Sequence, residues 1–180
     1  MKKYLFVLLL MLAGVCTVNA QNWYAGGSLS LRSYSDAEST HNDAEKKSFF
    51  GLAPEIGYNT EGRWSFGAEL GYSCTSYDGD YDSVSAFWLK PYARYRFYED
   101  GNLTLFADGG ILFSTSGSGD NKMNQHQIGV EPGIAYKLTR SFSLVAHVGF
   151  VGFTGGDNKQ ENGFGLNLSN NISFGFYYNF

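Results

Sequence analysis

Cysteine is nearly absent from this chain. Only Cys16 and Cys74 occur, and Cys16 falls in a leader segment, so no intrachain disulfide can staple the fold. Basic charge is scarce too. Lys2 and Lys3 leave with the leader, and 11 basic residues then face 17 acidic ones, a net charge of −6. That balance argues against nucleic acid as a partner. Beyond the N-terminus no apolar run is long enough to cross a bilayer as a helix. A phosphate-cradling loop, a nucleotide fingerprint and a paired-cysteine metal motif are all missing. Proline is limited to three residues. Aromatics and glycine are plentiful: 13 Tyr, 15 Phe, 3 Trp and 23 Gly.

The first twenty residues have their own pattern. Lys2 and Lys3 precede an apolar run from Tyr4 to about Val15, and Val18-Asn19-Ala20 supplies small residues before a cut. This reads as a secretory signal peptide over 1–20, with a mature domain over 21–180. Leu12-Ala13-Gly14-Val15-Cys16 offers a competing lipidation box, weakened by Val15 where a small residue is favoured.

From Trp23 onward the hydrophobic period is two. Asn170 to Phe180 shows it plainly. Ile172, Phe174, Phe176, Tyr178 and Phe180 take one side, and Asn171, Ser173, Gly175, Tyr177 and Asn179 take the other. Seven earlier stretches alternate the same way: 23–32, 50–58, 64–73, 87–97, 103–113, 127–136 and 142–150. Eight strands are therefore expected. The connections alternate long, short, long, with turns at 59–63, 99–102 and 139–141 and longer polar segments between the other pairs. In an up-and-down barrel that places the short turns at one end and four loops at the other. A motif recurs in the second, fourth and sixth strands: Pro54-Glu55-Ile56-Gly57-Tyr58, Pro91-Tyr92-Ala93-Arg94-Tyr95 and Pro132-Gly133-Ile134-Ala135-Tyr136. Proline removes a ladder donor, so a bulge or local widening is expected at each of the three.

The two faces of these strands differ in bulk. One carries rings and branched chains; the other is mostly Gly, Ser, Ala and Thr with one or two charges per strand. A wet exterior would carry more charge, and eight strands leave an interior that side chains barely fit. The greasy face therefore points outward, to lipid. Near the short turns it carries Trp23, Tyr58, Trp64, Tyr95, Phe97, Tyr136, Phe142, Tyr178 and Phe180, the ring types that collect where membrane meets water.

On these residues the chain resembles the small eight-stranded outer-membrane barrels of Gram-negative bacteria, the OmpA/OmpX-type and porin-like outer membrane β-barrel domain. The resemblance rests on Gly175-Phe176-Tyr177-Tyr178-Asn179-Phe180 and on Pro54-Glu55-Ile56-Gly57-Tyr58. It implies an all-β, eight-stranded antiparallel up-and-down transmembrane β-barrel in the bacterial outer membrane. Its partners would be outer-membrane lipids, lipopolysaccharide and the barrel-insertion machinery, the last reading Phe176, Tyr178 and Phe180. A monomer without a cofactor is expected.

Three constellations could carry chemistry. The inward charges are Arg32, Glu55, Glu69, Lys90, Arg94, Arg96, Asp108, Glu131 and Lys137, with His147. Charges held there must pair, and Arg94 is expected to bridge Glu69 and Asp108 on its neighbouring strands. Such a network either plugs the lumen or gates a narrow porin-like channel for small solutes or ions; the narrow bore favours the plug. In an acidic loop, Asp78, Asp80 and Asp82 hint at calcium but lack the glycine and distant glutamate of a calcium hand. A hydrolase acting on lipid A would need a serine, a histidine and an acid together at the outer rim. His126 has no such neighbours in any register. The expected function is non-enzymatic: envelope integrity, or surface contact through four external loops.

Overall fold

A computed structural model describes residues 22–35, 46–77, 83–118, 121–157 and 162–180. Eight strands close into one antiparallel barrel in chain order. They are β1 (Trp23–Ser35), β2 (Lys46–Asn59), β3 (Trp64–Tyr77), β4 (Val84–Asp100), β5 (Leu103–Ser118), β6 (Asn121–Lys137), β7 (Phe142–Gly156) and β8 (Gly163–Asn179). No described helix is long and apolar enough to cross a membrane. The leader, Cys16 and the triplet Asp78, Asp80 and Asp82 lie outside the described residues.

The strands run beyond the greasy alternation. β5 and β6 are separated only by residues 119–120 where a longer polar segment, 116–124, is expected, and β8 starts at Gly163, directly after the last polar segment and before the clear alternation from Asn170. Side-chain periodicity ends where the apolar face ends, but backbone pairing does not need it. Polar contacts carry the hairpins on: Thr115 donates to Asn124 at 2.9 Å, and the Asn124 amide donates to Asp157 at 2.8 Å. The expected alternation of loop lengths therefore fails at this hairpin.

The apolar face is on the outside. On β3, Trp64, Phe66, Leu70 and Tyr72 are exposed while Ser65 and Gly71 are buried. The same holds from Tyr58 up to Phe50 on β2 and from Tyr136 up to Ile128 on β6. Nine residues at roughly 3.3 Å each, tilted about 40°, rise about 23 Å, close to the apolar height of a membrane barrel. At the short-turn end the rings meet in pairs: Trp23 with Tyr58, Trp64 with Tyr95, and Phe142 and Phe180 each with Tyr178.

Each proline interrupts pairing on the side facing the next strand. Pairing passes from Leu52↔Tyr72 to Glu55↔Glu69 across Pro54, and from Leu89↔Phe113 to Tyr92↔Gly110 across Pro91, with register kept. Of the three prolines only Pro132 lies at a register shift, between Val130 and Gly133. So the expected bulge forms at one proline and a plain gap in the ladder at two. The extra residue beside Pro132 belongs to β7, where Gly149 takes φ +77°. That bulge reverses the phase of β7. Phe150, expected on the outer face by alternation, is buried inside, and Phe153 points out.

Candidate functional site

The inner face is not merely small and polar. Tyr24, Tyr92, Phe106, Val145 and Tyr177 form a buried cluster across the bore. Room for each ring comes from a glycine that is its direct partner on the next strand: Tyr24↔Gly57, Tyr92↔Gly67, Trp88↔Gly71, Phe106↔Gly133 and Tyr177↔Gly26. A Cβ on Gly57 would lie 2.2 Å from Tyr24, and one on Gly133 would lie 2.3 Å from Phe106. Strand pairing thus sets each ring flat over a notch in the wall, and five such pairs fill the interior.

Arg94 lies at the centre of this cluster, 5 % exposed. Its fork grips Asp108 on β5, with Nε to Oδ1 and Nη2 to Oδ2 both 2.7 Å. Nη2 also donates to the Tyr177 hydroxyl at 2.9 Å and lies 3.5 Å from Glu55. Tyr177 donates in turn to Glu55 Oε2 at 2.8 Å, and Tyr92 donates to Glu55 as well. The Tyr24 and Tyr92 hydroxyls are hydrogen-bonded to each other. His147 Nε2 is 3.0 Å from Asp108 Oδ2. The guanidinium rests over the Phe106 ring, 4.0 Å from its centroid, with the Tyr24, Tyr92 and Tyr177 rings around it. Strands β1, β2, β4, β5, β7 and β8 all contribute to this layer. Glu55 and Asp108 are 7 % and 3 % exposed, so these short contacts stand in for water around both carboxyl groups.

Of the residues expected in the lumen network, Glu55, Arg94, Asp108 and His147 come together. Glu69 does not join Arg94. It accepts from Trp88 Nε1 at 2.7 Å instead, because in register Glu69 stands beside Lys90, two inward positions above Arg94, whose own partner on β3 is Ser65. Lys90 reaches across the bore to Glu131 at 2.5 Å. Arg96 and Lys137 sit at the short-turn rim, Arg96 bonding to the Gly62 carbonyl and lying 3.3 Å from Glu99. His126 is exposed in β6, opposite Phe113 and Gly155. The side chain of Arg32 lies outside the described residues.

What residue reading missed were the rings. Tyr24, Trp88, Tyr92, Phe106 and Tyr177 all fall on the inner parity of their strands, and the signal available was a glycine opposite each one. Above the plug a cavity of about 10 Å³, lined by Lys90, Asp108, Glu131 and Phe150, has room for about one water. Chemically the arrangement can hold buried charge and block passage. Among the described residues no three His, Cys, Asp or Glu side chains converge on a metal site.

Comparison with known proteins agrees with this geometry. The family described as "Outer membrane protein beta-barrel domain" matches residues 5–180. No curated protein matches the sequence. Among solved structures, a loop L8 deletion mutant of OmpT, an outer membrane protein of Vibrio cholerae, is 14% identical with a TM-score of 0.46, covering 87% of this chain and 49% of its own. In-vitro folded OmpT from the same organism is 14% identical with a TM-score of 0.40, covering 90% of this chain and 52% of its own. The chain thus spans about half the length of these structures. It belongs to the outer membrane protein beta-barrel domain family.

Proposed function

We propose that this protein is a non-enzymatic barrel of the Gram-negative outer membrane whose lumen is closed by its own side chains. Its role lies in envelope integrity or in surface contact through the loops at the end opposite the short turns. The observation that carries this reading is the Arg94 layer: one guanidinium tied to Asp108, Tyr177 and Glu55 from three other strands, with rings packed around it. In this reading the leader over 1–20 is removed and the mature chain sits as a monomer among lipid and lipopolysaccharide. Phe176, Tyr178 and Phe180 present the end signal to the insertion machinery.

Single-channel recording in planar bilayers tests the reading. The purified protein should insert without discrete conductance steps. Steps that change in an Arg94→Ala or Glu69→Gln variant would establish the rival class, a narrow channel. Mass spectrometry of lipid A from cells with and without the protein should give the same spectrum; a new acylation state would replace the proposal with an enzyme.

A further inference from the structure

Three prolines leave three gaps in the wall, each proline four residues from a rim tyrosine: Tyr58, Tyr95 or Tyr136. The direction of main-chain hydrogen bonding alternates along a strand. The Asn59 amide donates to Asn22, that of Arg96 to Arg63 and that of Lys137 to Asn102. Counting back from these, Pro54, Pro91 and Pro132 turn toward β3, β5 and β7, the strands on which their pairing is interrupted. Each gap lacks the N–H that proline does not carry. A carbonyl left bare at membrane depth is costly.

Side chains cover two of the gaps. Beside Pro54 the Trp88 ring lies over Gly71, and its indole N–H donates to Glu69. Beside Pro132 the β7 bulge sets Phe150 against Gly129 and Gly152. Beside Pro91 there is no bulge, and pairing resumes in register from Leu89↔Phe113 to Tyr92↔Gly110, which puts Ile111 opposite the proline. The inward residues of this gap are Lys90 and Leu112. Both line the cavity of about 10 Å³, together with Gly110. Among the described residues this is the gap that no ring covers, and the cavity backs onto it. The other polar side chains around the cavity are Asp108, Gln127 and Glu131.

The lining selects the occupant. The volume suits a single water, and four polar side chains surround it. Asp108 and Glu131 are direct partners on β5 and β6. Two carboxylates side by side would draw a cation, but each already has one. Arg94 grips Asp108, and Lys90 lies 2.5 Å from Glu131. A further cation would stand against the Lys90 ammonium, and an anion against both carboxylates. A small neutral molecule that both donates and accepts meets neither objection. The ammonium has three donors, and among the described contacts one goes to Glu131.

We propose that this cavity is a site for one ordered water, which accepts from Lys90 and donates to the Ile111 carbonyl in place of the absent Pro91 N–H. Water is then a component of the plug, and it ties the Lys90–Glu131 pair to the wall between β4 and β5. This goes beyond a shut bore, and it can fail while the bore stays shut.

Water–amide cross-relaxation in the full mature protein, deuterated and held in phospholipid nanodiscs, tests it. NOE and ROE cross-peaks of opposite sign, the mark of a long-lived water, should appear at the amides flanking the Ile111 carbonyl, those of Ile111 and Leu112. They should be missing at Gly71, where the Trp88 ring covers the wall. Pro91→Ala supplies the donor, and in that variant the cross-peaks at Ile111 and Leu112 should be lost. Their absence from the parent protein would overturn the proposal, and so would their persistence in Pro91→Ala. Equal cross-peaks at Gly71 would mean that solvent fills the bore generally, and would overturn it as well.

Discussion

Tyr24 lies across Gly57. The two are direct partners on β1 and β2, and the ring occupies the space where a side chain on residue 57 would begin, 2.2 Å from that Cβ position. The Tyr24 hydroxyl, so placed, reaches Tyr92, which bonds to Glu55, two residues from Gly57 on the same strand. A glycine in the wall thereby positions the plug.

Gly57→Ala should therefore displace the Tyr24 ring and loosen the plug. The cost expected is about 1–3 kcal/mol, the usual range for overpacking. It is measured as a lower urea midpoint for the barrel in lipid vesicles. Gly101→Ala is the contrast in packing, since no atom lies within 4 Å of a Cβ there and only its φ of +55° resists.

Arg94→Ala removes the only cation within reach of Asp108 Oδ1 among the described contacts and leaves Asp108 and Glu55 buried without it. About 3–5 kcal/mol should be lost, the range for breaking a buried pair from one side. Arg94→Lys should recover little, because a single ammonium cannot reproduce the two-pronged grip at 2.7 Å. Equilibrium unfolding of both variants in the same lipid checks this.

Gly149 takes φ +77° at the β7 bulge, a conformation other L-residues resist. Gly149→Ala should cost about 1 kcal/mol or more. Because the bulge turns Phe150 into the lumen, ring resonances of Phe150 should shift in the spectrum of the variant. An unchanged spectrum and unfolding midpoint would argue against the bulge.

Leu70 lies on the outer face of β3 between Phe66 and Tyr72. Leu70→Arg should cost up to about 2–4 kcal/mol if that face meets hydrocarbon. The same change at Asn121, exposed on the polar hairpin above the belt, should be nearly neutral. Folding free energies in vesicles distinguish the two positions, and equal effects would refute the outward placement of the belt.

Much of the wall could be read from the chain alone. The alternation from Trp64 to Tyr72 places rings on one face of a strand, and the ring types at Trp23, Tyr58, Tyr95 and Tyr178 mark one rim. Two kinds of feature escaped that reading. Register between strands is not a local property, so Glu69 could be assigned to Arg94 when the fold gives it Trp88. Phase is local only while the strand is regular, so the bulge at Gly149 carried Phe150 to the opposite side from the one alternation assigns.

A period of two, a lack of surface charge and a shortage of cysteine and proline settle by themselves that this chain forms strands with a greasy outer face, because those properties act residue by residue. Which ring fills which notch, and which acid the central arginine holds, follow only from closure into a cylinder. Tyr177 and Glu55 are 122 positions apart in the chain and 2.8 Å apart in space, and no local pattern encodes a distance across the bore.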